Sequence, residues 1–170
     1  GLGRTTANFV INTLGPTISS VVITSSSGKQ NNFLNAGDNV SVTATFTENA
    51  SVTGTPQLTL VVGSYNRIAS YTSGTGSTAL VFQYTVQAGE TDSDGISIGA
   101  NALALNGGTI RDPTGNDATL THNTVSANSS YKVDTTAPSV SSFTIDDSLL
   151  LVSETTDVDL VFSEAVASFS

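Results

Sequence analysis

Tyr131-Lys132-Val133-Asp134-Thr135-Thr136-Ala137-Pro138-Ser139-Val140-Ser141-Ser142-Phe143-Thr144-Ile145 has a near copy at Phe9-Val10-Ile11-Asn12-Thr13-Leu14-Gly15-Pro16-Thr17-Ile18-Ser19-Ser20-Val21-Val22-Ile23. The two run in register, aromatic on aromatic and proline on proline. A second pair, Phe46-Thr47-Glu48-Asn49-Ala50 and Phe162-Ser163-Glu164-Ala165-Val166, stands six residues closer together than the first. A shorter loop between the paired blocks of the second copy accounts for the difference. Self-similarity at a fixed spacing marks repeat architectures, and here the spacing is one whole domain. The expectation is a last strand of a preceding module at 1–15, a complete module at 16–133, and the incomplete opening strands of a following module at 134–170. The first residue is Gly1 rather than Met, in keeping with a segment of something longer.

Between the copies, hydrophobicity alternates with a period of two, the mark of half-buried strands. Val40, Val42, Ala44 and Phe46 face one way and Ser41, Thr43 and Thr45 the other; Leu58, Leu60, Val62 and Leu80, Phe82, Tyr84, Val86 repeat the pattern. Thr suits the outward positions, where β-branched residues fit a pleated surface. Glycine, asparagine and proline clusters separate the runs, among them Asp112-Pro113-Thr114-Gly115, which carries the residues of a type I turn. Strands are predicted at 17–24, 39–46, 57–62, 67–72, 79–86, 96–105 and 118–133, although Ile68 and Tyr71 in the fourth point to opposite faces. Seven short alternating strands spell all-β, with immunoglobulin-like antiparallel β-sandwich modules in tandem. The core Trp and disulfide of antibody domains are absent, because the chain has no Trp and no Cys.

Composition narrows the function classes. A net charge of −9 with only five Lys plus Arg disfavours nucleic acid and anionic membrane surfaces, both of which select cationic side chains. No apolar run is long enough to span a bilayer, so no membrane insertion is expected from this segment. His122 is the only imidazole and no thiol exists, which removes Cys–His catalysis and multi-histidine metal sites. No nucleophile elbow is present, and turn geometry already explains Asp112 and Asp117, so no enzyme is expected. The two lysines, Lys29 and Lys132, would be needed for an isopeptide cross-link; alternation turns Lys132 outward.

Several stretches resemble the bacterial Ig-like tandem repeats of large secreted surface proteins and adhesins. They are Val133-Asp134-Thr135-Thr136-Ala137-Pro138, Phe162-Ser163-Glu164-Ala165-Val166, Val52-Thr53-Gly54-Thr55-Pro56-Gln57-Leu58-Thr59-Leu60, Leu105-Asn106-Gly107-Gly108-Thr109-Ile110 and Gly115-Asn116-Asp117-Ala118-Thr119-Leu120. The resemblance implies an extracellular, cell-surface filament of stacked sandwiches whose partners are neighbouring modules of the same chain or neighbouring identical chains. It also implies stiffening by Ca²⁺. The first linker departs from the pattern, with Asn12-Thr13-Leu14-Gly15-Pro16 where the second has Asp134-Thr135-Thr136-Ala137-Pro138.

Strand direction sorts the acids by end. Asp134 and Glu164, with Asp92 or Asp94 in reach, are expected at the second junction; Glu48, Asp112 and Asp117 gather near Asn12 at the first. Carboxylates crowded at a hinge repel unless a cation joins them, and Ca²⁺ takes six to eight oxygens at about 2.3–2.6 Å from flexible loops. The bland alternative is that each Asp forms its own turn. Glu90-Thr91-Asp92-Ser93-Asp94-Gly95 mimics the first half of an EF-hand loop, but Asn101 stands where the bidentate Glu is required, and no helices flank it. Two further readings compete with a structural spacer. One is a fibre subunit completed by strand donation between chains, using the strand expected at about residues 7–13. The other is a glycan-binding module, for which only Tyr65 and Tyr71 offer exposed aromatic platforms.

Overall fold

The computed structural model describes residues 11–166, so most of the strand expected at residues 7–13 lies outside the described residues. The chain divides into two compact units, one ending at Thr135 and the other beginning at Thr136. Among the described residues every regular element is a strand.

The first unit contains β1 (Ile18–Ser27), β2 (Phe33–Leu34), β3 (Asn39–Thr53), β4 (Gln57–Val62), β5 (Tyr65–Ser73), β6 (Ser77–Thr85), β7 (Thr91–Asp92), β8 (Leu103–Ala104), β9 (Thr109–Arg111) and β10 (Lys132–Asp134). Its main sheet runs β1-β3-β6-β5-β4-β8, with β9 added to the far end of β3, and it curls into a half-barrel. All its strand pairs are antiparallel. A smaller sheet, β2-β10-β7, sets β10 parallel to β2 and antiparallel to β7.

The alternation explains why the sheet curls around one core. Val40, Val42, Ala44 and Phe46 of β3 are buried, as are Leu58, Leu60 and Val62 of β4 and Leu80, Phe82 and Tyr84 of β6. Leu34 and Val133 of the smaller sheet join the same cluster. Phe82 is fully buried and meets Tyr71 edge to face, with centroids 5.9 Å apart. Burying such a ring contributes about 1.5–3 kcal/mol. In β5, Ala69 and Tyr71 turn inward and Ile68 outward, so the fourth expected strand forms with its two large residues on opposite faces.

Two elements differ from the sequence pattern. β3 runs on to Thr53: beyond an irregularity between Thr45 and Ala50 it leaves β6 and pairs with β9 through Ser51, Val52 and Thr53. Conversely, the strands expected at 96–105 and 118–133 survive only as β8, β10 and single bridges such as Ile98–Val125. Side chains there take over backbone partners. The Asn101 Oδ1 accepts from His122 N (3.0 Å), and His122 Nε2 accepts from Ala102 N (2.8 Å). Such local bonds compete with a ladder, and Asn101 and Asn106 hold positive φ values of 54° and 47°, outside strand geometry.

The second unit contains β11 (Val140–Ile145) and β12 (Val158–Phe162), an antiparallel pair. Its register is that of β1 and β3. Val140–Phe162, Ser142–Val161, Phe143–Leu160, Thr144–Asp159 and Ile145–Val158 match Ile18–Phe46, Ser20–Thr45, Val21–Ala44, Val22–Thr43 and Ile23–Val42, with an irregularity at the same step. The side-chain contacts match too. Ser141 Oγ donates to Val161 O as Ser19 Oγ donates to Thr45 O, and Ser139 N donates to Ser163 Oγ as Thr17 N donates to Thr47 Oγ1.

Candidate functional site

The two ends of the first unit hold its most connected polar side chains, and at each end they grip the chain where it enters or leaves. At the amino-terminal end the grip is built on Asp112, which is 3% exposed. The turn begun by Asp112-Pro113 folds the following backbone onto the carboxylate. Oδ1 accepts from Thr114 N (2.9 Å) and Asn116 N (2.8 Å), and Oδ2 accepts from Thr114 Oγ1 (2.7 Å) and Asn116 Nδ2 (2.9 Å). A fifth donor comes from the linker: Asn12 Nδ2 reaches Oδ2 at 3.1 Å. Burial by itself would raise the Asp112 pKa, but the bonds from Thr114 and Asn116 outweigh it and bring it down from 3.8 to about 2.

The linker is fastened at further points. Asn116 Nδ2 also donates to Asn12 O (3.2 Å), Asn12 Oδ1 accepts from Leu14 N (3.2 Å), and Pro16 O accepts from Thr119 N (2.8 Å). Gly15 lies so close to the loop that a Cβ there would stand 1.9 Å from Asp117 O. Asp117 itself pairs with Arg111 Nε at 2.6 Å on an exposed surface, where such pairs contribute little.

At the carboxyl-terminal end the centre is Glu90, fully buried. Its Oε1 accepts from Arg67 Nε and from Tyr84 Oη (2.5 Å), and its Oε2 accepts from Gln87 N (2.9 Å). A buried carboxylate needs this degree of pairing, since an unpaired one would be heavily penalised. Burial, followed by the bond to Glu90, pushes the Tyr84 hydroxyl pKa well above its ordinary value. Glu90 also fastens the departing chain: its carbonyl accepts from Thr135 Oγ1 (2.9 Å), and Thr135 Oγ1 in turn accepts from Gly89 N (2.9 Å).

Asp92, next to this network, is 4% exposed and does turn-forming work. Its oxygens accept from Gly63 N (2.8 Å) and Gly95 N (2.7 Å). Gly95, at the sixth position of the EF-like stretch, has φ +102°, and a Cβ there would stand 2.0 Å from Asn128 O. Backbone geometry therefore accounts for that glycine. Asp94 is exposed, Asp134 is half-buried in β10 beside Val133, whose partner is Asp92, and Glu48 is half-buried in β3. Glu164 follows β12 in the second unit. Among the described residues no three acidic or imidazole side chains are grouped so as to hold a metal ion.

Other candidates take structural positions. His122 Nδ1 lies 2.7 Å from Asn123 O, so with Nε2 accepting from Ala102 the ring fits as the neutral Nδ1–H tautomer. It borders an open groove of about 550 Å³ between β1 and residues 121–125, whose lining includes Ile18, Val21, Asn101 and Val125 but no charged group. Lys29 and Lys132 sit over the rings of Tyr131 and Phe33. Tyr65 stacks under Arg67, and Tyr71 packs on Phe82 while its hydroxyl accepts from Thr75 N, leaving no aromatic platform shared by the two.

The role of Glu90 was the part hardest to see from the sequence, where it stood only as the start of an EF-like stretch. The available signal was Arg67, a charge in the inward register of β5 with Ala69 and Tyr71; a charge so placed demands a partner. Comparison of the chain with protein-family models, with curated proteins and with solved structures returned no match.

Proposed function

We propose that this chain is a length of structural spacer: Ig-like sandwich modules in tandem, in an extracellular surface protein, that supply reach and stiffness and carry no catalytic site. The observation that carries the reading is the repeated strand pair. β11–β12 reproduces β1–β3 in register, irregularity and hydroxyl contacts. An isolated two-stranded hairpin is marginal in water. Phe143 and Leu160 are 58% and 37% exposed, while their counterparts Val21 and Ala44 are 7% and 0% exposed. Further strands of a second module are what this apolar face requires.

The grips at both ends fasten the entering and departing chain to the first unit by hydrogen bonds. Asp112 accepts from five donors and Asp92 from two, so hydrogen bonds hold these two acids in their own loops, and a Ca²⁺ ion at the second junction, through Asp134 and Glu164, would add to them. The resemblance to bacterial Ig-like repeats and the acidic composition support a cell-surface setting.

A chimera tests this: residues 1–166 continued by a second copy of residues 51–135, which completes the second module at the matching position. Small-angle scattering, with and without EDTA, should give an elongated particle with about twice the maximum dimension of one module. A collapse of that dimension in EDTA would assign the stiffness to Ca²⁺. A flexible or unfolded second half would refute the spacer. The competing strand-donation fibre predicts that the full 170-residue chain polymerises as concentration rises, which sedimentation would show.

A further inference from the structure

We propose that the 112–119 loop is a docking surface for the incoming linker, and that Asn12 and Gly15 are the two residues that make a linker able to dock. The consequence for a stalk rests on the spacer reading; the docking itself does not. Asn12 brings the single amide donor that reaches Asp112 from outside the loop, at 3.1 Å, and its own carbonyl accepts from Asn116. Gly15 permits the close approach, because any Cβ would meet backbone, the Asp117 carbonyl, at 1.9 Å. Backbone does not yield as a flexible side-chain tip does.

At the matching positions the second linker carries Asp134 and Ala137. An aspartate in place of Asn12 presents oxygen to the Asp112 oxygens and has no proton to give, so attraction becomes repulsion. An alanine in place of Gly15 adds the forbidden Cβ. Each change alone opposes this dock, and the second linker has both. The two linkers therefore encode different junctions: a docked one through Asn12 and Gly15, and one through Asp134 and Ala137 that cannot use the same seat. A stalk built from both would seat its linkers in two different ways.

The test uses the full chain and ¹⁵N relaxation of residues 12–15. In the parent chain the order parameters should be near the rigid-backbone value of about 0.85. N12D and G15A should each lower them to below about 0.6, with the β3 amides unchanged. N12A removes the donor without adding a charge, and should lower the order less than N12D does. Residues 12–15 as ordered in N12D and G15A as in the parent would overturn the proposal. So would N12A as ordered as the parent, since the Asn12 donor would then not hold the linker. Loss of β3 order in N12D would overturn it too, by making Asn12 a requirement of the module rather than of the dock. None of these results bears on whether the 51–135 chimera forms a rod.

Discussion

Asp112 and Glu90 both lie at the ends of the first unit, and both are buried carboxylates, yet their chemistry differs. Asp112 is held by neutral N–H and O–H donors, so its ionised form is favoured without a countercharge. Its folded pKa of about 2 lies below the ordinary 3.8. Its contribution to stability is therefore complete above about pH 4 and is lost as pH falls towards 2. Carboxyl NMR titration should find Asp112 protonating near pH 2, and D112N should flatten the stability profile between pH 4 and 2. Glu90 is instead held by Arg67 and Tyr84. Because the Tyr84 pKa is raised, its contribution is complete below about pH 10 and is lost as pH climbs through the folded value. In an alkaline spectrophotometric titration, one of the four tyrosines should ionise only when the protein unfolds. Y84F should cost about 1.5–3 kcal/mol in urea unfolding, the usual worth of a bond to a charged group. R67A should cost more than Y84F, because it leaves Glu90 buried without its countercharge. Equal losses would mean that Arg67 does not neutralise Glu90.

At the scale of elements, the central strands were legible because burial there follows a strict period of two. The inward and outward faces of β3, β4 and β6 can be read directly from Val40 to Phe46, Leu58 to Val62 and Leu80 to Tyr84. F82A should therefore destabilise by about 3–5 kcal/mol, whereas I68A, on the outer face of neighbouring β5, should change stability by less than about 0.5 kcal/mol. Comparable losses in denaturant melts would contradict the register. Residues 96–105 and 118–133 were less legible. Their alternation suggested strands, but Asn101 and His122 side chains occupy backbone donors that a ladder would use. Local periodicity does not reveal which of two hydrogen-bonding solutions wins. The passage of β3 from β6 to β9 was likewise hidden, because Ser51, Val52 and Thr53 continue the same alternation with a different neighbour. The ends of the unit fall between these cases. That Asn12 and Asp112 share one end follows from the expected direction of the strands, but the hydrogen bond between them does not, and the Arg67–Glu90–Tyr84 network joins residues with no common sequence pattern.

At the scale of the whole chain, the account depends on repetition. Two stretches of sequence 122 residues apart begin two strand pairs with one register, and everything said of stalks and linkers follows from treating them as the same element. Similar sequence alone allows that β11–β12 is only a local hairpin; a shared module requires that it be covered as β1–β3 is. Hydrogen exchange on the chimera of residues 1–166 followed by 51–135 measures this directly. The amides of Phe143 and Leu160 should become protected to the same degree as those of Val21 and Ala44 in the same molecule. Exchange at Phe143 and Leu160 that stays as fast as in the 170-residue chain, while Val21 and Ala44 remain protected, would contradict the account.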